Sequence, residues 1–227
     1  MPGITLCTIM MNEEGFLPKF LENIKDVFQD YVFIDGGSSD NSVSLVEAAG
    51  YPVFSVPFKM DFAKQKNNAL ALAKTKWRMV LDVDETMSKG VQEFIRTFNS
   101  SSYYHHTVCF FRDNFLDGGG QDDHPLDFPI RLFDEGVYYE GTVHEMPNYA
   151  DRTVIRFLGG RLYHQKDSYR QYRANLLYEL IRRGITEPPP LDEGAYNDGG
   201  RLRKVKLLPG RNIRVLDEFL DGPLLNV

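Results

Sequence analysis

Hydrophobic positions in the first part of the chain fall into short unbroken runs, each followed by a polar loop and then by a stretch of helical period. Ile4 to Met11 is apolar and is broken by Asn12-Glu13-Glu14-Gly15. Phe16, Leu17, Phe20, Leu21, Ile24, Val27 and Phe28 then recur on one helical face, with Lys19, Glu22, Asn23 and Lys25 on the other. This predicts strand, loop, helix. A second strand follows at Tyr31 to Ile34. It leads into Asp35-Gly36-Gly37-Ser38-Ser39-Asp40, where the glycines suit a tight turn and Asp40 can cap a helix that ends at Gly50. Val53 to Val56 is a third strand and Lys64 to Lys74 a further helix. Trp77-Arg78-Met79-Val80-Leu81 is a fourth strand, with Asp82-Val83-Asp84 at its tip.

Alternating strands and helices imply a parallel sheet with ligands beyond the carboxyl ends of the strands, so the loops at Asn12, Asp35 and Asp82 should share one rim. Beyond residue 100 the character changes. Val108 to Phe111, Ile130 to Phe133, Thr153 to Phe157 and Arg161 to Tyr163 are strand candidates between Gly- and Asp-rich loops, predicting an antiparallel or mixed extension. Ser168-Tyr169-Arg170-Gln171 has the form of a capping box. Tyr172, Leu176 and Leu180 continue it as a helix closed by Gly184. Pro188-Pro189-Pro190 and the stretch to Gly200 read as a mobile loop or linker. The expected organisation is one domain over residues 1–183, with a loop-rich extension over 184–227 packed on it.

Composition narrows the class. Against 26 Lys and Arg stand 32 Asp and Glu, for a net charge of -6, which argues against affinity for nucleic acid resting on overall charge. Arg201, Arg203, Lys204, Lys206, Arg211 and Arg214 form a local basic strip, best read as solvated surface. The cysteines, Cys7 and Cys109, both sit in apolar runs and read as buried thiols. No run reaches the roughly 18 apolar residues that span a bilayer, so a soluble, cytoplasmic protein is expected. His105 and His106 beside Cys109 lack the four spaced ligands of a structural zinc site. Gly118-Gly119-Gly120 lacks the strand-to-helix context of a dinucleotide fingerprint.

Two carboxylates delivered two positions apart at a strand tip suit an oxygen-preferring divalent cation. Together with Cys7 to Glu14, Phe33 to Asp40, Asp61 to Asn67, Leu81 to Glu85, and Arg131-Leu132-Phe133 through Val143-His144-Glu145, the ordered blocks resemble family 2 glycosyltransferases over roughly residues 3 to 165. The resemblance implies a GT-A fold, a Rossmann-like, mostly parallel mixed sheet flanked by helices. It implies inverting transfer of one sugar (hexose or pentose) from a nucleotide-diphosphate sugar, UDP-linked by preference, with Mn²⁺ or Mg²⁺ as cofactor. By the same resemblance, Asp84 and His144 hold the metal, and Asn12, Asp35, Lys66, Asn67, Asp82 and Arg131 hold the donor. Glu145 is the expected base, ahead of Asp122, Asp123 and Asp127. Gly36 stands where the family usually has a second Asp, and Lys66 where it more often has Arg. The acceptor stays open among glycans, lipid-linked sugars, proteins and, less favoured, modified nucleic-acid bases. Two other readings compete. Asp82-Val83-Asp84-Glu85-Thr86 also fits the Asp-x-Asp-x-Thr pattern of haloacid-dehalogenase-like phosphatases, and a non-catalytic nucleotide-sugar binding module would keep the same carboxylates.

Overall fold

A computed structural model describes residues 3–99, 102, 106–118, 127–149 and 151–184. The early apolar runs form β1 (Ile4–Met10), β2 (Asp30–Asp35), β3 (Val53–Ser55) and β4 (Trp77–Val80), all parallel, in the order β3-β2-β1-β4. They read as unbroken hydrophobic runs because both sheet faces are covered. Leu6 and Phe33 pack with Phe20 and Ile24 of α1 (Leu17–Ile24) and Val46 of α2 (Ser42–Ala48). Cys7, Val32 and Ile34 face Ala69 and Leu70 of α3 (Phe62–Leu72) on the other side.

The chain continues through β5 (Glu85–Met87), α4 (Lys89–Arg96), β6 (His106–Leu116), β7 (Ile130–Asp134), β8 (Tyr139–Glu140), β9 (Met146–Pro147), β10 (Thr153–Lys166) and α5 (Ser168–Arg182). The main sheet has the order β3-β2-β1-β4-β7-β6-β10-β5, and β8 pairs with β9 separately. β3, β2, β1, β4, β6 and β10 run one way, while β7 and β5 run the other. The mixed extension is therefore as expected. Its consequence is that the carboxyl ends of β1, β4, β6 and β10 and the amino ends of β5 and β7 meet at one rim.

Three local features differ from the sequence reading. β5 and α4 lie in a stretch without a predicted element, although Val91, Phe94 and Ile95 carry a short helical period. The two strand candidates at 153–157 and 161–163 are a single strand with a register break between Phe157 and Arg161. Helix α4 rests on this break: a Cβ on Gly90 would sit 2.0 Å from the Gly159 carbonyl oxygen, while Phe94 stacks on Phe157 at 4.3 Å between ring centres. Finally, the N-cap of α5 is Asp167 rather than Ser168, its carboxylate accepting from the Arg170 N–H at 2.6 Å.

Helix α5 returns over the rim and packs Leu180 and Ile181 on Phe58 and Met60. No helix among the described residues is long and apolar enough to cross a membrane. The basic strip, the proline run, the extension past residue 184, His105, Gly119, Gly120, Asp122 and Asp123 lie outside the described residues.

Candidate functional site

The shared rim opens into a cleft of about 1040 Å³ lined by residues of every loop named above, among them Asn12, Gly36, Lys66, Asp82, Asp84, Arg131, Glu145 and His164. Strand direction explains the gathering. β4 ends and delivers Asp82 and Asp84, β10 ends and delivers His164, and β7 and β5 begin there with Arg131 and Glu85.

Opposite charges are interleaved across the site. Lys66 Nζ lies 3.1 Å from Asp82 Oδ1 and 2.7 Å from Glu145 Oε1. Arg131 donates to Asp82 Oδ2 at 3.0 Å and also to Glu85. Arg112 bridges Glu85 at 2.7 Å and Asp127. Arg170, from the first turn of α5, binds Asp84 Oδ2 through Nε at 2.9 Å and Glu13 through Nη1. Burial pushes the Asp82 carboxyl up, but Lys66 and Arg131 outweigh it and hold the group well below the ordinary carboxylate range. Burial acts likewise on Asp84, and Arg170 and His164 overcome it, so this carboxyl is also lowered. Burial alone would lower Lys66, whereas Asp82 and Glu145 raise it. The result is a desolvated ion network with both Asp-x-Asp carboxylates ionised.

A sequence profile of glycosyl transferase family 2 matches residues 5–181. The chain belongs to this family. Glycosyltransferase SunS of Bacillus subtilis is 29% identical over 170 residues, covering 72% of this chain and 39% of that protein. A TPR repeat-containing protein of Synechococcus elongatus is 32% identical over 87 residues, covering 38% of this chain and 22% of that protein. The chain thus spans well under half the length of these curated relatives. In three dimensions, S. aureus TarS in complex with UDP superposes with a TM-score of 0.53 at 14% identity, covering 85% of this chain and 68% of that one. The UDP-GlcNAc complex of TarS gives 0.52 at 15% identity, covering 85% and 69%. At such identity the likeness establishes the GT-A fold.

Within this family 2 domain the two aspartates have separate partners. Asp82 has both oxygens paired to buried cations and closes the fourth strand of the chain, unlike the free nucleophile after a first strand that the phosphatase reading requires. Asp84 keeps Oδ1 buried without a hydrogen-bond partner among the described residues. The imidazole beside it is His164, whose Nε2 lies 3.3 Å from Asp84 Oδ2. His144 instead sits at a backbone φ of 52°, with Nε2 2.9 Å from Arg182 Nη2 and its ring 4.9 Å from that of Tyr178.

The other predicted donor residues divide. Asn12 lines the cleft and ties its loop to that of β2, accepting from the Ser39 N–H at 2.8 Å. Asp35 accepts from the N–H groups of Gly37 and Ser38 at 3.1 Å, holding its own turn. The cleft wall there is Gly36, where a Cβ would meet Phe58 Cβ at 3.2 Å, so a second Asp at this position would need Phe58 to shift by a few tenths of an ångström. Asn67 spends both ends of its amide on the Tyr139 backbone, at 2.8 and 2.9 Å, and so braces β8.

The residues fit a divalent cation. Among the described residues no cluster of three or more His, Cys, Asp or Glu side chains is preassembled for a metal. Asp84 and His164 would supply two ligands, with other positions left to phosphate oxygens and water. His164 Nδ1 faces Asn114 Oδ1 at 2.7 Å. That oxygen accepts from Nδ1–H, which leaves Nε2 facing Asp84, where it can donate to the carboxylate or, without its proton, would bind a cation. Asn114→Ala is expected to weaken Mn²⁺ binding about 10- to 100-fold, read by isothermal titration with protein and metal alone; unchanged affinity would show that Asn114 does not orient His164.

His164, Arg170, Glu13 and Asn114 are site residues to which the sequence alone assigned no functional role. A histidine closing a strand just before a capped helix was the one local signal for His164. Arg170 and Glu13, 157 positions apart, had none.

Proposed function

We propose that this domain is an inverting, divalent-cation-dependent glycosyltransferase that moves one sugar from a UDP-sugar to an acceptor hydroxyl. The observation that carries the proposal is Asp84 Oδ1, buried beside His164 in the cleft with no hydrogen-bond partner among the described residues. Asp84 and His164 would hold the cation, which when bound neutralises the charge growing on the departing diphosphate. Arg170 adds a guanidinium on the same side, and Lys66 brings a buried ammonium against Asp82 where the sugar must lie. Asn12 and Gly36 line the nucleotide side. UDP in the TarS complex supports this choice of base for the present chain.

Transfer forms one bond, from the acceptor oxygen to the anomeric carbon, and breaks one, from that carbon to the diphosphate oxygen, which leaves with the electron pair. The acceptor proton goes to Glu145, which lines the cleft and is held by Lys66 next to Asp82. Among the described alternatives, Asp127 is engaged by two nitrogens of Arg112.

A thermal-shift screen of nucleoside diphosphates with Mn²⁺ tests the donor: UDP should raise the melting temperature selectively, and no response to any nucleoside diphosphate would sink the proposal. Glu145→Gln should slow transfer by about 10²- to 10⁴-fold while the UDP shift persists. A variant as fast as the parent would move the base elsewhere.

A further inference from the structure

The inference rests on the glycosyltransferase reading above and concerns the far wing of the same cleft, where β6 and β10 extend past β7. Lys66, Arg112, Arg131 and Arg170 line the cleft, each matched by carboxylates. Arg156 and Lys166 also line it, and among the described residues no carboxylate pairs with either. Lys166 is a single charge on a flexible stem at the end of β10. Arg156 is exposed and rests on an aromatic ring: its guanidinium lies 5.0 Å from the centre of the Phe128 ring, and that ring packs edge-on against Phe111 at 5.4 Å. An arginine seated on an aromatic face keeps its N–H edge available for a planar, two-pronged anion contact.

Strand register gives its distance from the chemistry. Arg156 pairs with Cys109, Cys109 with Ile130, and two residues further along β7 Leu132 pairs with Met79. Arg156 is therefore level with Leu81, the residue before Asp82, and three strands away, on the order of 14 Å along the sheet. The nucleotide-side residues lie at β1 and β2, beyond β4 in the opposite direction. Arg156 thus stands on the side left for the acceptor, too far away to touch the transferred sugar's diphosphate.

We infer that the acceptor carries a phosphate ester, which Arg156 binds from its seat on Phe128 while the reacting hydroxyl lies near Asp82 and Glu145. Arg156 acts as a specificity residue and takes no part in bond making.

The test is isothermal titration of inorganic phosphate into protein saturated with UDP and Mg²⁺, so that the diphosphate position is filled. Phosphate should bind the parent protein, and at least ten-fold more weakly to Arg156→Gln, with UDP affinity and melting temperature unchanged. Arg156→Lys should fall between, keeping charge without the fork. Competition by glucose 6-phosphate or by glycerophosphoglycerol then distinguishes a monoester from a diester acceptor. Equal phosphate affinity in the parent and Arg156→Gln, or none in the UDP-loaded parent, overturns the inference. Failure to bind UDP overturns the donor reading instead, and the same parent-against-variant comparison without UDP still judges Arg156.

Discussion

Replacing Asp84 by alanine is expected to reduce Mn²⁺-dependent donor turnover by about a thousand-fold or more, because the variant loses the carboxylate that brings positive charge to the leaving diphosphate. The fold should survive. Arg170, the partner left behind, keeps Glu13 as a counter-charge, and the deletion also removes a buried oxygen that had no hydrogen bond among the described residues. The stability change should therefore stay within about 1–2 kcal/mol. Its pH dependence has a definite sign. Asp84 has a lowered pKa in the folded protein, so its stabilisation is complete above the unfolded value of about 3.9 and is lost as pH falls through the folded value. The stability gap between parent and Asp84→Ala, measured by urea unfolding across pH, should begin to narrow below about pH 4 and go on narrowing as pH falls further. A variant that retains Mn²⁺-dependent UDP release would remove the cation from this site.

Replacing Glu85 by alanine should do the reverse, damaging the fold first. Glu85 is fully buried, at 0% exposure, and its carboxylate anchors Arg131 and Arg112 while accepting from the Asp82 N–H at 3.2 Å. Arg131 is itself buried and, among the described carboxylates, would retain only Asp82. Leaving such a charge short of its partner costs about 3–5 kcal/mol, a large share of the stability of a domain this size. Glu85→Gln keeps the volume and one acceptor and should cost less. Urea midpoints of the two variants decide the matter. A loss under about 1 kcal/mol for Glu85→Ala would show that Asp82 and Asp127 hold the two arginines without it.

These two residues show why part of the site was legible in sequence and part was not. Asp82 and Asp84 stood out because an apolar run ended in two carboxylates. That local pattern could not separate their environments, since Lys66, Arg131 and Arg170 arrive from other elements. Glu85 read as part of a motif, yet it is the buried counter-charge of two arginines that follow it by 27 and 46 positions. His144 drew attention through its adjacent Glu145 and the family block around it. His164 drew none, because what puts it against Asp84 is the pairing of β10 with β5, where it stands opposite Glu85.

By itself the amino-acid order determined the parallel half of the sheet, the helices between its strands, the rim where their loops converge, and the family. These follow from local rules: strands buried on both faces must be continuously apolar, and crossover helices must show one apolar stripe. Only the tertiary structure decided which imidazole faces Asp84, which cations are spent in ion pairs, and which arginine has no carboxylate partner among the described residues. Those are long-range electrostatic matches, set by strand register and by the return of α5 over the rim, and no window of neighbouring residues contains them.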